Sequence, residues 1–130
     1  VRKVGTESLN FSQKNNLDID KIHFETVLDG MQALVSVPGS RAYIPDLIFC
    51  GKTSTVENPQ GVDHSGFMGF APRENPKIAI AVYVENAGWG ARAALSTASL
   101  IIEKHINGSV KKKWLENYVL KGDFEDAKPE

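Results

Sequence analysis

The sequence predicts an α+β fold: an antiparallel three-stranded meander with a preceding helix and a C-terminal helix packed on the sheet. Three observations lead to this prediction. Apolar residues recur at helical spacing over 24–35, three strand-like runs follow with only turns between them, and a second helical stripe begins near residue 94. Strands joined by short turns pair as antiparallel neighbours, because a parallel pair needs a long crossover connection.

The first helix is predicted from Asp20 to about residue 35. Its apolar positions lie three and four residues apart, as they do on one face of an amphipathic helix. These positions are Phe24, Val27, Leu28, Met31, Leu34 and Val35. Asp18 or Asp20 can cap its start, and Pro38 and Gly39 end it. Residues 1–18 are polar and lack periodicity, so we expect them to form an irregular lead-in.

Three strands are predicted next, over 47–56, 66–71 and 78–84. The first is apolar at its start and rich in Thr and Ser at its end, which predicts one buried end and one end that borders a cleft. Pro, Gly and Asn residues in the segments 58–61 and 72–76 indicate the two turns between the strands.

A second helix is predicted after a flexible, glycine-containing link over 86–90. Its stripe ends at Asn107 and Gly108, a favourable helix stop. The stripe consists of Ala94, Leu95, Ala98, Ile101, Ile102 and His105. Residues 19–108 are therefore the predicted structured segment. Residues 109–130 are predicted to be a partly disordered tail with one short amphipathic helix.

Composition and charge argue against several classes of function. Fifteen Lys and Arg balance sixteen Asp and Glu, whereas a nucleic-acid site needs a basic excess. Cys50 is the only cysteine, and His23, His64 and His105 lack the paired spacing of zinc ligands, so neither a metal nor another cofactor is expected. No apolar run approaches the roughly 20 residues of a membrane span, and the N-terminus lacks a signal-peptide pattern. The chain is expected to be soluble.

The most informative motif is Lys52-Thr53-Ser54-Thr55, at the polar end of the first predicted strand. A K-T-G box at such a position accompanies S-x-x-K and S-D-N motifs in serine acyl-transferring enzymes. The flanking motifs add specificity, since a short match alone arises by chance. They are Phe67-Met68-Gly69-Phe70-Ala71-Pro72, the alternating Ile and Ala residues over 78–82, and Glu85-Asn86.

In this order the motifs resemble the transpeptidase domain of class B penicillin-binding proteins, specifically the elongation-type penicillin-binding protein 2 group. The resemblance covers roughly residues 24–106. It implies that 19–108 is the C-terminal portion of a transpeptidase domain with the penicillin-binding transpeptidase and β-lactamase-like fold. The family's partners would then be peptidoglycan stem peptides, β-lactams and the remainder of the domain.

The resemblance also assigns roles within the box. The backbone N–H of Thr55 would be an oxyanion donor, and the Thr55 carbonyl and hydroxyl would contact the substrate. Lys52 would supply the cation beside the serine of an S-x-N element, and the Thr53 hydroxyl would point to the same polar network. Ser54 departs from the family's glycine, which lets substrate and sheet approach closely.

The other parts of the catalytic set are not recognisable. The S-x-x-K pattern occurs only at 109–112, after the last predicted helix, and the S-x-N pattern at 8–10 lies too near the box for the family's order. The chain is therefore expected to carry substrate-binding residues without a nucleophile or its lysine base. The isolated chain is expected to be inactive, and to self-associate through an unpaired sheet edge and exposed apolar faces of its helices.

The resemblance implies a parent protein anchored in the bacterial inner membrane, with this domain in the periplasm. There it would crosslink stem peptides through a serine acyl-enzyme. Two alternatives remain open at this stage. One is a D,D-carboxypeptidase or β-lactamase of the same superfamily. The other is a non-catalytic module that binds peptide through an exposed strand edge.

Overall fold

A computed structural model of the protein describes residues 3–4, 6–8 and 17–124. Its elements, in chain order, are β1 (Lys3–Val4), β2 (Glu7–Ser8), α1 (Lys21–Val35), β3 (Cys50–Val56), β4 (His64–Ala71), β5 (Ile78–Val84), α2 (Ala93–Asn107) and α3 (Lys113–Lys121). β3, β4 and β5 form one sheet in that order, and every strand pair is antiparallel. The predicted α+β fold with a three-stranded meander is confirmed.

Two strand boundaries differ from the predicted ones, and one small ladder was not predicted. β3 begins at Cys50 rather than at residue 47, because the Ile48 carbonyl accepts a hydrogen bond from the Arg73 N–H at 2.7 Å instead of pairing with β4. β4 begins two residues earlier than predicted, at His64. The segment 1–18 contains the small β1–β2 ladder, which its polar composition did not predict. Parts of that segment, and residues 125–130 of the tail, lie outside the described residues.

The hydrophobic core lies between α2 and one face of the sheet. The sheet contributes Phe67 and Ala71, both buried, and α2 contributes Ala94, Leu95, Ala98 and Ile102. Small residues on α2 allow the helix to approach the sheet closely. A left-handed Gly108, with φ of 75°, ends α2 as the sequence predicts.

Helix α1 packs against β3 rather than over the sheet. Arg73, which follows β4, fixes it by ion pairs to Asp29 at 2.7 Å and Glu25 at 3.1 Å and by a hydrogen bond to Gln32. Val35 is the only α1 residue that is buried. Much of the predicted apolar stripe is exposed in the described part of the chain, including Val27 at 61%. The predicted helix is present, and its exposed stripe is one of the apolar helix faces from which self-association is predicted.

Helix α3 docks against α2 through Leu115, which is fully buried, and through the preceding Lys112. The Lys112 ammonium donates to the Arg41 carbonyl at 3.0 Å and to the Ser99 hydroxyl. Burial lowers the pKa of Lys112 to about 8, and the negative charge of buried Glu103 opposes that shift. These contacts join α3 to both α2 and the loop before β3.

Candidate active site

The four residues of the Lys52–Thr55 box lie in the second half of β3. They face Met68, Phe67, Gly66 and Ser65 of β4. β3 pairs with β4 alone in the described part of the chain, so its other edge is open. Lys52, Ser54 and Thr55 are exposed and Thr53 is half-buried. The box therefore forms a solvent-facing rim of a sheet.

The direction of the backbone along this rim follows from one hydrogen bond. The Lys52 ammonium donates to the Thr53 carbonyl at 2.6 Å, which indicates that this carbonyl faces the open edge. In an antiparallel strand the N–H and C=O of one residue point to the same side, and successive residues alternate. The N–H and C=O of Thr55 therefore face the open edge as well.

The segment before α2 lies on the α2 face of the β3–β4 pair. The Gly90 N–H donates to Thr55 Oγ1 at 3.2 Å, and the Ser65 hydroxyl donates to the Trp89 carbonyl at 2.9 Å and accepts from the Ala94 N–H at 3.0 Å. A Cβ at Gly90 would lie 2.7 Å from the Gly66 carbonyl oxygen and closer still to that of Ser54. The predicted flexible link is thus tied to the end of the box.

Serine at the third box position has a matching glycine on the neighbouring strand. Ser54 faces Gly66 across the ladder, and a Cβ at Gly66 would clash with the Ser54 hydroxyl. Gly66 therefore provides the space that the Ser54 side chain occupies. The Ser54 hydroxyl lies on the opposite sheet face from Thr53 and Thr55, because side chains alternate along a strand.

The family model of the penicillin-binding protein transpeptidase domain matches residues 3–106. The chain belongs to this family. Over 45 residues this transpeptidase-family chain is 38% identical to the peptidoglycan D,D-transpeptidase MrdA of Haemophilus influenzae, a match that covers 35% of this chain and 7% of that protein. The predicted resemblance to the penicillin-binding protein 2 group is confirmed.

The fold of this transpeptidase segment is similar to that of Pseudomonas aeruginosa PBP2, solved in complex with WCK 5153. The TM-score is 0.64 at 24% identity, over 84% of this chain and 26% of the other. The chain thus spans about a quarter of the length of that protein.

A polar network that the sequence did not predict joins the turn after β3 to the segment after β5. Asn58 lies in the turn after β3, and its side-chain amide donates to Asn86 Oδ1 at 2.9 Å. The Asn58 backbone N–H donates to Asp63 Oδ1 at 3.1 Å. The Asn86 N–H in turn donates to His64 Nδ1 at 2.9 Å. Asn86 adopts a left-handed φ of 52°. The network fixes the turn next to the box against the segment that leads to α2.

The remaining candidate groups of the transpeptidase segment lie elsewhere. Cys50 is buried and hydrogen-bonds the Leu28 carbonyl, and burial raises the pKa of its thiol while Arg73 opposes the shift. Lys112 of the S-x-x-K match contacts the Arg41 carbonyl and not the box. The described residues contain no cluster of three potential metal ligands. Within the same part of the chain, no helix combines the length and the apolar character of a membrane span.

Proposed function

We propose that this chain is the C-terminal segment of a peptidoglycan D,D-transpeptidase, and that the open edge of β3 binds the D-alanyl-D-alanine end of a stem peptide. The observation that supports this proposal most is the box on an unpaired, solvent-facing strand edge. Such an edge offers N–H and C=O groups to an extended peptide, which can pair with it as an additional strand. The similarity to a protein named peptidoglycan D,D-transpeptidase favours the same reaction.

Each box residue has a proposed role that its position allows. The outward N–H of Thr55 donates to the oxyanion that forms when the substrate carbonyl is attacked. The Thr55 carbonyl accepts from the substrate amide. Its hydroxyl already accepts from the Gly90 N–H, so its own hydrogen stays available for a substrate carboxylate. Thr53 and Ser54 border the peptide on opposite faces of the sheet.

Lys52 provides the positive charge of the proposed site. Its ammonium group is exposed and lies at the Thr53 carbonyl, at the edge where the peptide would pair. A carboxylate of the substrate gains a charge-assisted contact there. By resemblance, Lys52 also lies beside the serine of an S-x-N element contributed by the remainder of the domain, where it affects proton transfer.

The proposed reaction needs a serine and a lysine base from outside this chain. The serine oxygen attacks the carbonyl carbon of the penultimate D-alanine, its proton passes to the base, and the terminal D-alanine leaves with a proton. An amine of a neighbouring stem peptide then attacks the acyl-enzyme ester and releases the serine. A β-lactam acylates the same serine by opening its ring. The parent protein is proposed to be anchored in the inner membrane with this domain in the periplasm.

Labelling with a fluorescent penicillin tests the proposal. We expect covalent label on the longer natural protein and none on this chain alone. In the longer protein, Lys52→Ala should reduce the rate of labelling by about 100-fold, as the loss of one electrostatic contact in an acyl-transfer site does. Lys77→Ala is the matched control, because Lys77 is an exposed lysine near the start of β5 and outside the box.

Each other outcome contradicts a defined part of the proposal. Label on the isolated chain would show that it contains its own nucleophile. An unlabelled parent would favour the non-catalytic peptide-binding module. Release of the acyl group to water alone, without transfer to an amine, would indicate a D,D-carboxypeptidase or β-lactamase.

A further inference from the structure

Two grooves flank the open edge of β3, one on each face of the sheet. The outer groove has a volume of about 320 Å³ and is lined by Lys52, Ser54, Met68 and Tyr83, among others. The second groove has a volume of about 460 Å³, and we call it the Trp114 groove. Its walls include Leu34, Thr53, Leu95 and Trp114. Both grooves reach the box, and both include Thr53 in their lining.

The Trp114 groove lies on the α2 face of the sheet. Leu95 belongs to α2, and Thr53 is paired with Phe67, whose side chain is in the core beneath α2. Ser54, the next residue of β3, points to the other face, because successive side chains of a strand alternate. The two grooves are therefore separated by the plane of the β3 edge.

The part of α3 that carries Trp114 is anchored to the rest of the chain. Trp114 is 54% exposed, yet Leu115, next to it on α3, and Lys112, which precedes the helix, are both anchored. Leu115 is fully buried, and the Lys112 ammonium bonds the Arg41 carbonyl at 3.0 Å and the Ser99 hydroxyl. A large aromatic side chain is thus exposed to solvent on an anchored helix, and Leu34, another residue that lines the groove, is also partly exposed.

A peptide that pairs with β3 must place alternate side chains on the two faces of the sheet. One set would enter the outer groove beside Lys52, and the other set would enter the groove between Leu34 and Trp114. We propose that the Trp114 groove is an apolar subsite for one side chain of the bound peptide, and that Trp114 determines specificity there. This inference rests on the proposed function of the β3 edge. It adds a chemical requirement on the peptide: an aliphatic side chain is favoured at the one position that faces the Trp114 groove, and it brings no gain at the two neighbouring positions, which face the other side of the sheet.

The alternation of side chains along a strand allows the proposed subsite to be tested with peptides that differ in one position. The probes are three N-acetyl tetrapeptides that end in D-alanyl-D-alanine. One has alanine at both remaining positions, and the other two carry a single norleucine, each at a different one of those positions. Binding to the whole ¹⁵N-labelled chain is followed by NMR, which detects weak complexes. The chain has two indole N–H signals, and Trp89→Phe assigns them.

Only one of the two norleucine peptides is expected to gain affinity over the all-alanine peptide, by roughly tenfold for filling an apolar pocket. The same peptide should shift the Trp114 indole signal. Trp114→Ala should remove the gain, and Trp114→Phe should restore most of it. Leu34→Ser, at another residue that lines the groove, should reduce the gain independently, and it serves if the alanine variant does not fold.

Other results would overturn the inference. An equal gain for both norleucine peptides, no gain for either, or a gain that survives Trp114→Ala and Leu34→Ser would exclude the subsite. If the all-alanine peptide still shifts the backbone amide signals of the box, the subsite fails alone and peptide binding at β3 stands. If no peptide shifts those amides, the proposed function of the edge fails, and the subsite fails with it.

Discussion

Replacing Gly90 by alanine tests whether the segment before α2 is pressed against the box. An added Cβ would lie 2.7 Å from the Gly66 carbonyl oxygen and nearer to the Ser54 carbonyl, and both obstacles are backbone atoms of paired strands. These carbonyl oxygens cannot move out of the way by a rotamer change, as side-chain atoms could. The segment would have to move away from the sheet, which breaks the bond from the Gly90 N–H to Thr55 Oγ1.

The expected cost follows from these two effects. Forcing a methyl group into a filled space costs about 1–3 kcal/mol, and losing one hydrogen bond costs about 1 kcal/mol. Gly90→Ala should therefore lower the free energy of unfolding by roughly 2–4 kcal/mol. That is a large share of the stability of a small domain, which is about 5–15 kcal/mol.

Urea denaturation followed by circular dichroism measures the effect. Gly30→Ala is the matched control, because Gly30 lies within α1 and an added Cβ there meets no atom within 4 Å. The control should stabilise the chain by about 0.5–1 kcal/mol, since glycine is unfavourable inside a helix. Equal stability of Gly90→Ala and the unmutated chain would refute the packing argument.

Three further predictions concern stability and association. The free energy of unfolding should rise between about pH 8 and pH 10.5, because the unfolded chain keeps the Lys112 proton over this interval while the folded chain releases it. Urea titrations should show Lys112→Met flattening this rise, and Lys111→Met leaving it unchanged. Arg73→Met should lower the free energy of unfolding slightly and speed amide hydrogen exchange in α1, because the helix loses its ion pairs; unchanged exchange would contradict this. The chain should self-associate in sizing chromatography, and Val27→Lys should weaken association; a strict monomer at high concentration would refute self-association, and unchanged association of Val27→Lys would exclude the exposed stripe as its cause.

The elements that could be predicted from sequence are those with a local pattern. The three strands of the sheet have alternating or apolar runs bounded by turn residues, and α2 has a continuous stripe that ends at Gly108. The open edge at Lys52–Thr55 followed from the position of the box at the polar end of its strand. The roles of Lys52, Thr53, Ser54 and Thr55 in binding remain predictions.

The features that sequence did not predict depend on residues far apart in the chain. Lys112 bonds to the carbonyl of Arg41, 71 positions away, and Asn58 bonds to Asn86, 28 positions away. The segment 86–90 has the glycine content of a flexible linker, and its bond to Thr55 becomes visible only once the strand and the segment are adjacent. The stripe on α1 indicates a helix but does not say what covers it.

The fit of Ser54 against Gly66 makes these two positions epistatic. A methyl group at position 66 would clash with the Ser54 hydroxyl, so the serine side chain would have to rotate away from it. The penalty of a substitution at one position is therefore conditional on the residue at the other. A chain with glycine at both positions would accept alanine at position 66 without this clash, whereas in this chain the same alanine must displace the Ser54 side chain.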